Sequence, residues 1–141
     1  MPVYFHTEIP NFKFKNEKAT GRWLKDVCIN EKRISGTINI IALSDTALFD
    51  MNKSYLGHEY FTDVLSFPGD EKEKISGDIF ISVERIEENA NHYNVSPEEE
   101  LHRVMLHGLL HLLGYEDHDE TTQIQMREKE EYYLSKYHLS P

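Results

Sequence analysis

With 141 residues and 39% hydrophobic content the chain is long enough to bury one core unaided, and its single cysteine, Cys28, excludes an internal disulfide. A formal net charge of -10, from 15 basic and 25 acidic residues, excludes a broadly basic nucleic-acid binder. No stretch approaches the roughly 20 apolar residues of a membrane span, and MPVYFHTEIP lacks the basic and apolar regions of an export signal. One domain over 1–141, located in the cytoplasm and off the membrane, is the expectation.

Residues 3–8 predict a short strand, and 17–33 an amphipathic helix with Trp23, Leu24, Val27 and Cys28 along one side. On that side Cys28 reads as a small core residue rather than a reactive thiol. Residues 36–43, GTINIIAL, are β-branched and almost wholly apolar, which predicts a central strand covered on both faces. Ser44 starts a helix to about Leu56, with Ala47, Leu48, Met51 and Tyr55 spaced for one buried face and Gly57 past its end. After a connection over 57–62 come two more strands, 62–67 and 78–83, separated by an exposed loop rich in Gly, Asp, Glu and Lys that would flank a cleft. A helix follows from 83 to about 93. Ser96, Pro97 and Glu99 then form a helix start: serine caps the free amides, proline suits the first turn and glutamate reaches back. The helix runs over 97–113, and Glu98, Glu99 and Glu100 read as favourable charges at its N-terminus. Asp119 caps a last helix from 120 to about 137, with Ile124, Tyr132, Tyr133 and Leu134 packing on the domain. Tyr132, Tyr133 and Tyr137 read as core cover before base-stacking residues. The pattern is α+β: a small mixed four-stranded sheet flanked by helices.

Residues 107–117 read HGLLHLLGYED. Histidines four apart on a helix lie about 40° apart in azimuth and roughly 6 Å apart along the axis, so His107 and His111 can share one ion. Leu106, Leu109, Leu110, Leu112 and Leu113 make the surroundings apolar, and imidazoles buried there ask for a metal or hydrogen-bond partner. Gly114 suits the left-handed turn that folds the chain back across the helix end, leaving Asp117 or His118 to close the site. The spacing matches the HxxxHxxGxxH zinc pattern with aspartate in last place. Three protein ligands and one open position mark a catalytic zinc, although iron or nickel also suits this donor set. Gly108 stands where HExxH proteases carry their glutamate base, and a glycine there implies either space beside the metal or close approach of another element.

Three segments in order, NKSYLGHEYFTDVLSF at 52–67 followed by Pro68, SGDIFIS at 76–82, and the 107–117 run, resemble the YbeY family of bacterial zinc-dependent single-strand endoribonucleases. The resemblance implies one zinc ion, single-stranded RNA as substrate, a role in ribosomal RNA maturation, and the ribosome or a ribosomal protein as partner. The family's run reads GYDH, whereas GYEDH here puts Asp117 sixth after the second ligand and His118 seventh. Counting from the glycine turn keeps the site geometry, so His107, His111 and Asp117 are the expected ligands, with His118 the alternative third. The family's catalytic arginine falls at Leu56 and is absent. Lys53, His58 or Arg103 would have to bring a cation from elsewhere, and no residue is assigned as catalytic.

Residues 1–66 balance eight basic against eight acidic residues, so the whole net charge lies in 67–141. Lys13, Lys15, Lys18, Arg22, Lys25, Lys32 and Arg33 crowd the first quarter, a solvated helix face before it is an RNA-facing surface. Weak affinity for free RNA is expected, with a partner supplying much of the docking. Two rivals stand beside the nuclease: a metzincin-like metallopeptidase, and a non-catalytic ribosome-assembly factor stapled by its metal.

Overall fold

The computed structural model describes residues 3–139, with side chains as far as residue 137. Strands β1 (Val3–Thr7), β2 (Ile34–Leu43), β3 (Val64–Pro68) and β4 (Lys74–Ser82) form one sheet in the order β1-β2-β4-β3. β1, β2 and β4 are parallel neighbours, and β3 is antiparallel to β4, so the sheet is mixed. Among the described residues five helices surround it: α1 (Glu17–Asn30), α2 (Asp45–Leu56), α3 (Val83–Tyr93), α4 (Pro97–Leu112) and α5 (Glu120–Leu139). This is the expected α+β class, with β2 paired on both sides.

Cover on the two faces of β2 is unequal. Ile38, Ile40 and Ala42 are buried, whereas Thr37, Asn39 and Ile41 between them are half-buried, so the strand alternates instead of being sealed on both faces. The inward set joins Ile79 and Ile81 of β4, Trp23, Leu24 and Val27 of α1, and Leu106, Leu109 and Leu110 of α4 in the main core. A smaller cluster of Leu43, Leu48 and Leu65 lies under α2 on the other face. Cys28 is fully buried, and that burial pushes its thiol up to about 11, so it packs and does not react.

Several boundaries and burials differ from the expectation, some through a local turn and others through pairing remote in sequence. α1 stops at Asn30 because Lys32 takes a left-handed conformation (φ 61) and the Arg33 amide turns back to the Cys28 carbonyl. The polar loop after β3 is shorter than expected: β2 pairs Ile34 with Lys74 and Ser35 with Ile75, drawing Ile75 and Ser76 into β4 and burying them. Tyr55, Ile124 and Tyr132, expected to pack inward, are exposed, while Tyr133 is buried. Glu100 is also buried, and its partner is Arg103 rather than a solvated helix terminus.

Candidate metal centre

α4 starts as its sequence dictates. Ser96 accepts a hydrogen bond from the Glu99 amide (3.1 Å) with Pro97 in the first turn. At the other end Gly114 has φ 104, its amide reaches the His111 carbonyl (3.0 Å), and the Tyr115 amide reaches the Leu110 carbonyl (3.0 Å). That reversal lays residues 115–118 back over the last turn of α4.

The result is a three-donor cluster. His107 Nε2 and His111 Nε2 lie 3.0 Å apart, and the Asp117 carboxylate stands 3.2 Å from the first and 3.6 Å from the second. One ligand atom from each residue lies within 4.8 Å of the others, and all three residues are half-buried. Two imidazoles and a carboxylate converging this closely are a donor set that fits a divalent cation. His118 points elsewhere: it is exposed, with its ring nitrogens 3.2 Å from Glu116 and 3.3 Å from Asp119.

His107 has a further partner outside the cluster. His107 Nδ1 donates to Glu130 Oε2 at 2.5 Å. Burial works against charge on His107, but the Glu130 hydrogen bond and the charges of Glu130, Asp117 and Asp63 outweigh it and raise its pKa. At His111 burial and the neighbouring His107 charge lower the pKa. The two imidazoles are thus driven apart in proton affinity.

Gly108 answers the question its sequence position raised. A Cβ there would stand 2.6 Å from Ile79 Cγ2 and 3.1 Å from both Ser66 Oγ and Val64 Cγ2. Ser66 Oγ also donates to the Gly108 carbonyl at 2.9 Å. The glycine therefore admits the sheet, with β3 and β4 pressed against the helix turn between the two histidines. A glutamate base has no room there, which opposes the peptidase reading.

The turn carrying Asp117 is anchored from α1. Tyr115 donates to Glu31 Oε1 (2.5 Å), Lys129 donates to Glu31 Oε2 (3.1 Å), and the Tyr133 hydroxyl also reaches Glu31 Oε2. Burial raises the Glu31 carboxyl pKa, but these hydrogen bonds and the Lys129 charge bring it below the ordinary value. A carboxyl lowered in the folded state adds stability above its unfolded pKa and loses it as pH falls through the folded one. Glu31→Gln is therefore expected to lose about 2 kcal/mol at neutral pH. Its gap from wild type should close as pH drops below ~4.3, as paired urea titrations would measure.

The cations weighed as replacements for the absent arginine are otherwise engaged. Lys53 is exposed and 3.8 Å from Glu59, His58 Nδ1 is 3.0 Å from the Tyr60 hydroxyl, and Leu56 is exposed. Arg103 is held by Glu100 (2.7 Å), Asp63 (3.2 Å) and Glu130 (3.3 Å). Sequence reasoning missed Glu130 and Glu31. For Glu130 a signal existed: on α5 it falls four residues after Met126 and three before Tyr133, both buried, so a carboxylate sits on the inward stripe.

Comparison with known proteins agrees with this architecture. A family model described as Endoribonuclease YbeY matches residues 5–138. An Endoribonuclease YbeY of Flavobacterium johnsoniae is 44% identical over 128 residues, covering 91% of this chain and 92% of the relative. Another, from Flavobacterium psychrophilum, is 40% identical over 137 residues and covers 97% of each chain. A solution structure from Thermotoga maritima superposes with a TM-score of 0.65 at 28% identity, covering 96% of this chain and 88% of that one. A match that runs through every element from β1 to α5, and takes in the histidine turn, leaves one assignment: the chain belongs to the endoribonuclease YbeY family.

Proposed function

We propose that this protein is a zinc-dependent endoribonuclease that cuts single-stranded RNA during ribosomal RNA maturation in the cytoplasm, with His107, His111 and Asp117 holding one ion. The observation that carries the reading is the convergence of two Nε2 atoms and one carboxylate within 4.8 Å, on a helix end and the turn after it. When bound there, the ion supplies Lewis acidity, lowering the pKa of water to about 7 and stabilising charge on a phosphoryl oxygen. The chain supplies the rest. Glu130 orients the His107 imidazole, and Asp117, 40% exposed, leaves the donor set open towards solvent. Asp63, Glu100 and Glu130 around one guanidinium, with Asp117 beside the two imidazoles, give a local excess of negative charge, which favours a dication and disfavours bare RNA. Docking by the ribosome or a ribosomal protein accords with that balance.

Zinc-loaded protein is expected to cut single-stranded RNA and to leave unfolded polypeptide intact, with His111→Ala cutting neither. Intact RNA alongside cut peptide overturns the reading in favour of a peptidase. Intact RNA and intact peptide, with metal removal lowering only stability and partner binding, overturns it in favour of an assembly factor. The product ends identify the nucleophile: a 2′,3′-cyclic phosphate marks the substrate's own hydroxyl, an open phosphate marks water.

A further inference from the structure

His107 turns one ring nitrogen into the donor cluster and the other away from it. Nε2 faces Asp117 and His111, and Nδ1 faces Glu130 on α5, 23 residues further along the chain. Glu130 is 6% exposed, so it is a carboxylate carried into the core edge at a solvation cost that ordinary packing there does not require. Its other oxygen, Oε1, accepts from Arg103 Nη1 at 3.3 Å. Arg103 lies one turn before His107 on α4 and is itself fixed in a fork by Glu100, with Nε to Oε1 at 2.9 Å and Nη2 to Oε2 at 2.7 Å. Its Nη2 also reaches Asp63 Oδ2 (3.2 Å), just before β3.

We infer that Glu130 is the positioning residue of the metal centre: with Arg103 fixing its carboxylate, it holds the proton on His107 Nδ1 and aims the Nε2 lone pair at the ion. This rests on reading the three donors as a metal site. The physical reason is tautomeric. A neutral imidazole carries one proton, and a carboxylate that can only accept hydrogen bonds selects Nδ1–H and frees Nε2. The chain Asp63–Arg103–Glu130–His107 thereby ties the entry to β3 and the middle of α5 to one ligand atom.

The test is zinc affinity by chelator competition on wild type, Glu130→Gln, Glu130→Ala and His111→Ala, with melting of each metal-free protein measured alongside. Both Glu130 variants are expected to bind zinc roughly 10- to 100-fold more weakly, alanine more so than glutamine. In cobalt-substituted protein their visible absorption should shift, a change that stability alone would not cause. Long-range proton–nitrogen NMR of the zinc-loaded wild type should show His107 protonated at Nδ1 and bound through Nε2. Because that measurement needs no variant, a Glu130 substitution that fails to fold still leaves the inference decided. Binding through Nδ1 overturns it, as does affinity within about twofold of wild type in both Glu130 variants. A wild type that takes up no zinc overturns the metal reading itself, and the positioning role with it.

Discussion

Replacing Asp117 with alanine is expected to weaken zinc binding by more than the roughly 100-fold that loss of an outer hydrogen-bond partner costs, and to remove RNA cleavage with it. Replacing His118 should leave both within about twofold of wild type. The difference lies in the backbone between two fixed points. Tyr115 is held by its amide on Leu110 and its hydroxyl on Glu31, and Asp119 is held by capping α5 through the Thr122 amide at 2.7 Å. Between them the Asp117 carbonyl accepts from Gln123 Nε2 at 3.1 Å, which fixes the carboxylate towards the imidazoles. His118, one residue on, faces Glu116 and Asp119 at the surface. Bringing it to the ion would break that anchorage and desolvate a different carboxylate set. A hundredfold loss corresponds to about 2.7 kcal/mol, well resolved by competition with a chromophoric chelator. Loss of binding in His118→Ala with retention in Asp117→Ala would reverse the ligand assignment.

The parts of this molecule that were legible in the sequence are those governed by residues within a turn or two of each other. Ser96, Pro97 and Glu99 announce α4, Gly114 announces its reversal, and the spacing of His107 and His111 puts both rings on one side; all three depend on local geometry alone. What was not legible depends on distant pairing. The polar stretch before Ile75 looks like an open loop until β2 supplies hydrogen-bond partners at Ile34 and Ser35, 40 residues earlier. Glu100 looks like a helix-terminus charge until Asp63 and Glu130, both remote in sequence, close around its i+3 partner Arg103. Gly108 has two opposed meanings in sequence, and only the position of Ile79 and Val64 selects one. Glu130 sits in a run, REKEE, in which charge is the rule, so its inward position shows only against Met126 and Tyr133. Ile124 is exposed, so the buried stripe of α5 runs through Met126, Glu130 and Tyr133 and not through the more apolar residue.

Restoring the glutamate of the HExxH motif should therefore break the fold rather than create a peptidase. Gly108→Glu is expected to lower the free energy of unfolding by at least about 4 kcal/mol, close to the whole stability of a domain that has 5–15 kcal/mol in total. Alanine isolates the first contribution. In mid-helix it gains up to about 1 kcal/mol over glycine, but its Cβ must displace Ile79 Cγ2 from 2.6 Å, and Ile79 is fully buried in the main core. Overpacking of this kind costs about 1–3 kcal/mol, so Gly108→Ala should be less stable by up to about 2 kcal/mol, the clash outweighing the helix gain. Beyond alanine, glutamate adds one more methylene and a carboxylate to the same space, where Ser66 Oγ is already committed to the Gly108 carbonyl and offers it no partner. An unpaired buried carboxylate costs several kcal/mol more. Urea denaturation of the three proteins would order them wild type, alanine, glutamate, and zinc-loaded Gly108→Glu should show no peptide cleavage. A glutamate variant of wild-type stability would mean that β3 and β4 do not close on the helix at this turn, and that the space beside the histidines belongs to substrate.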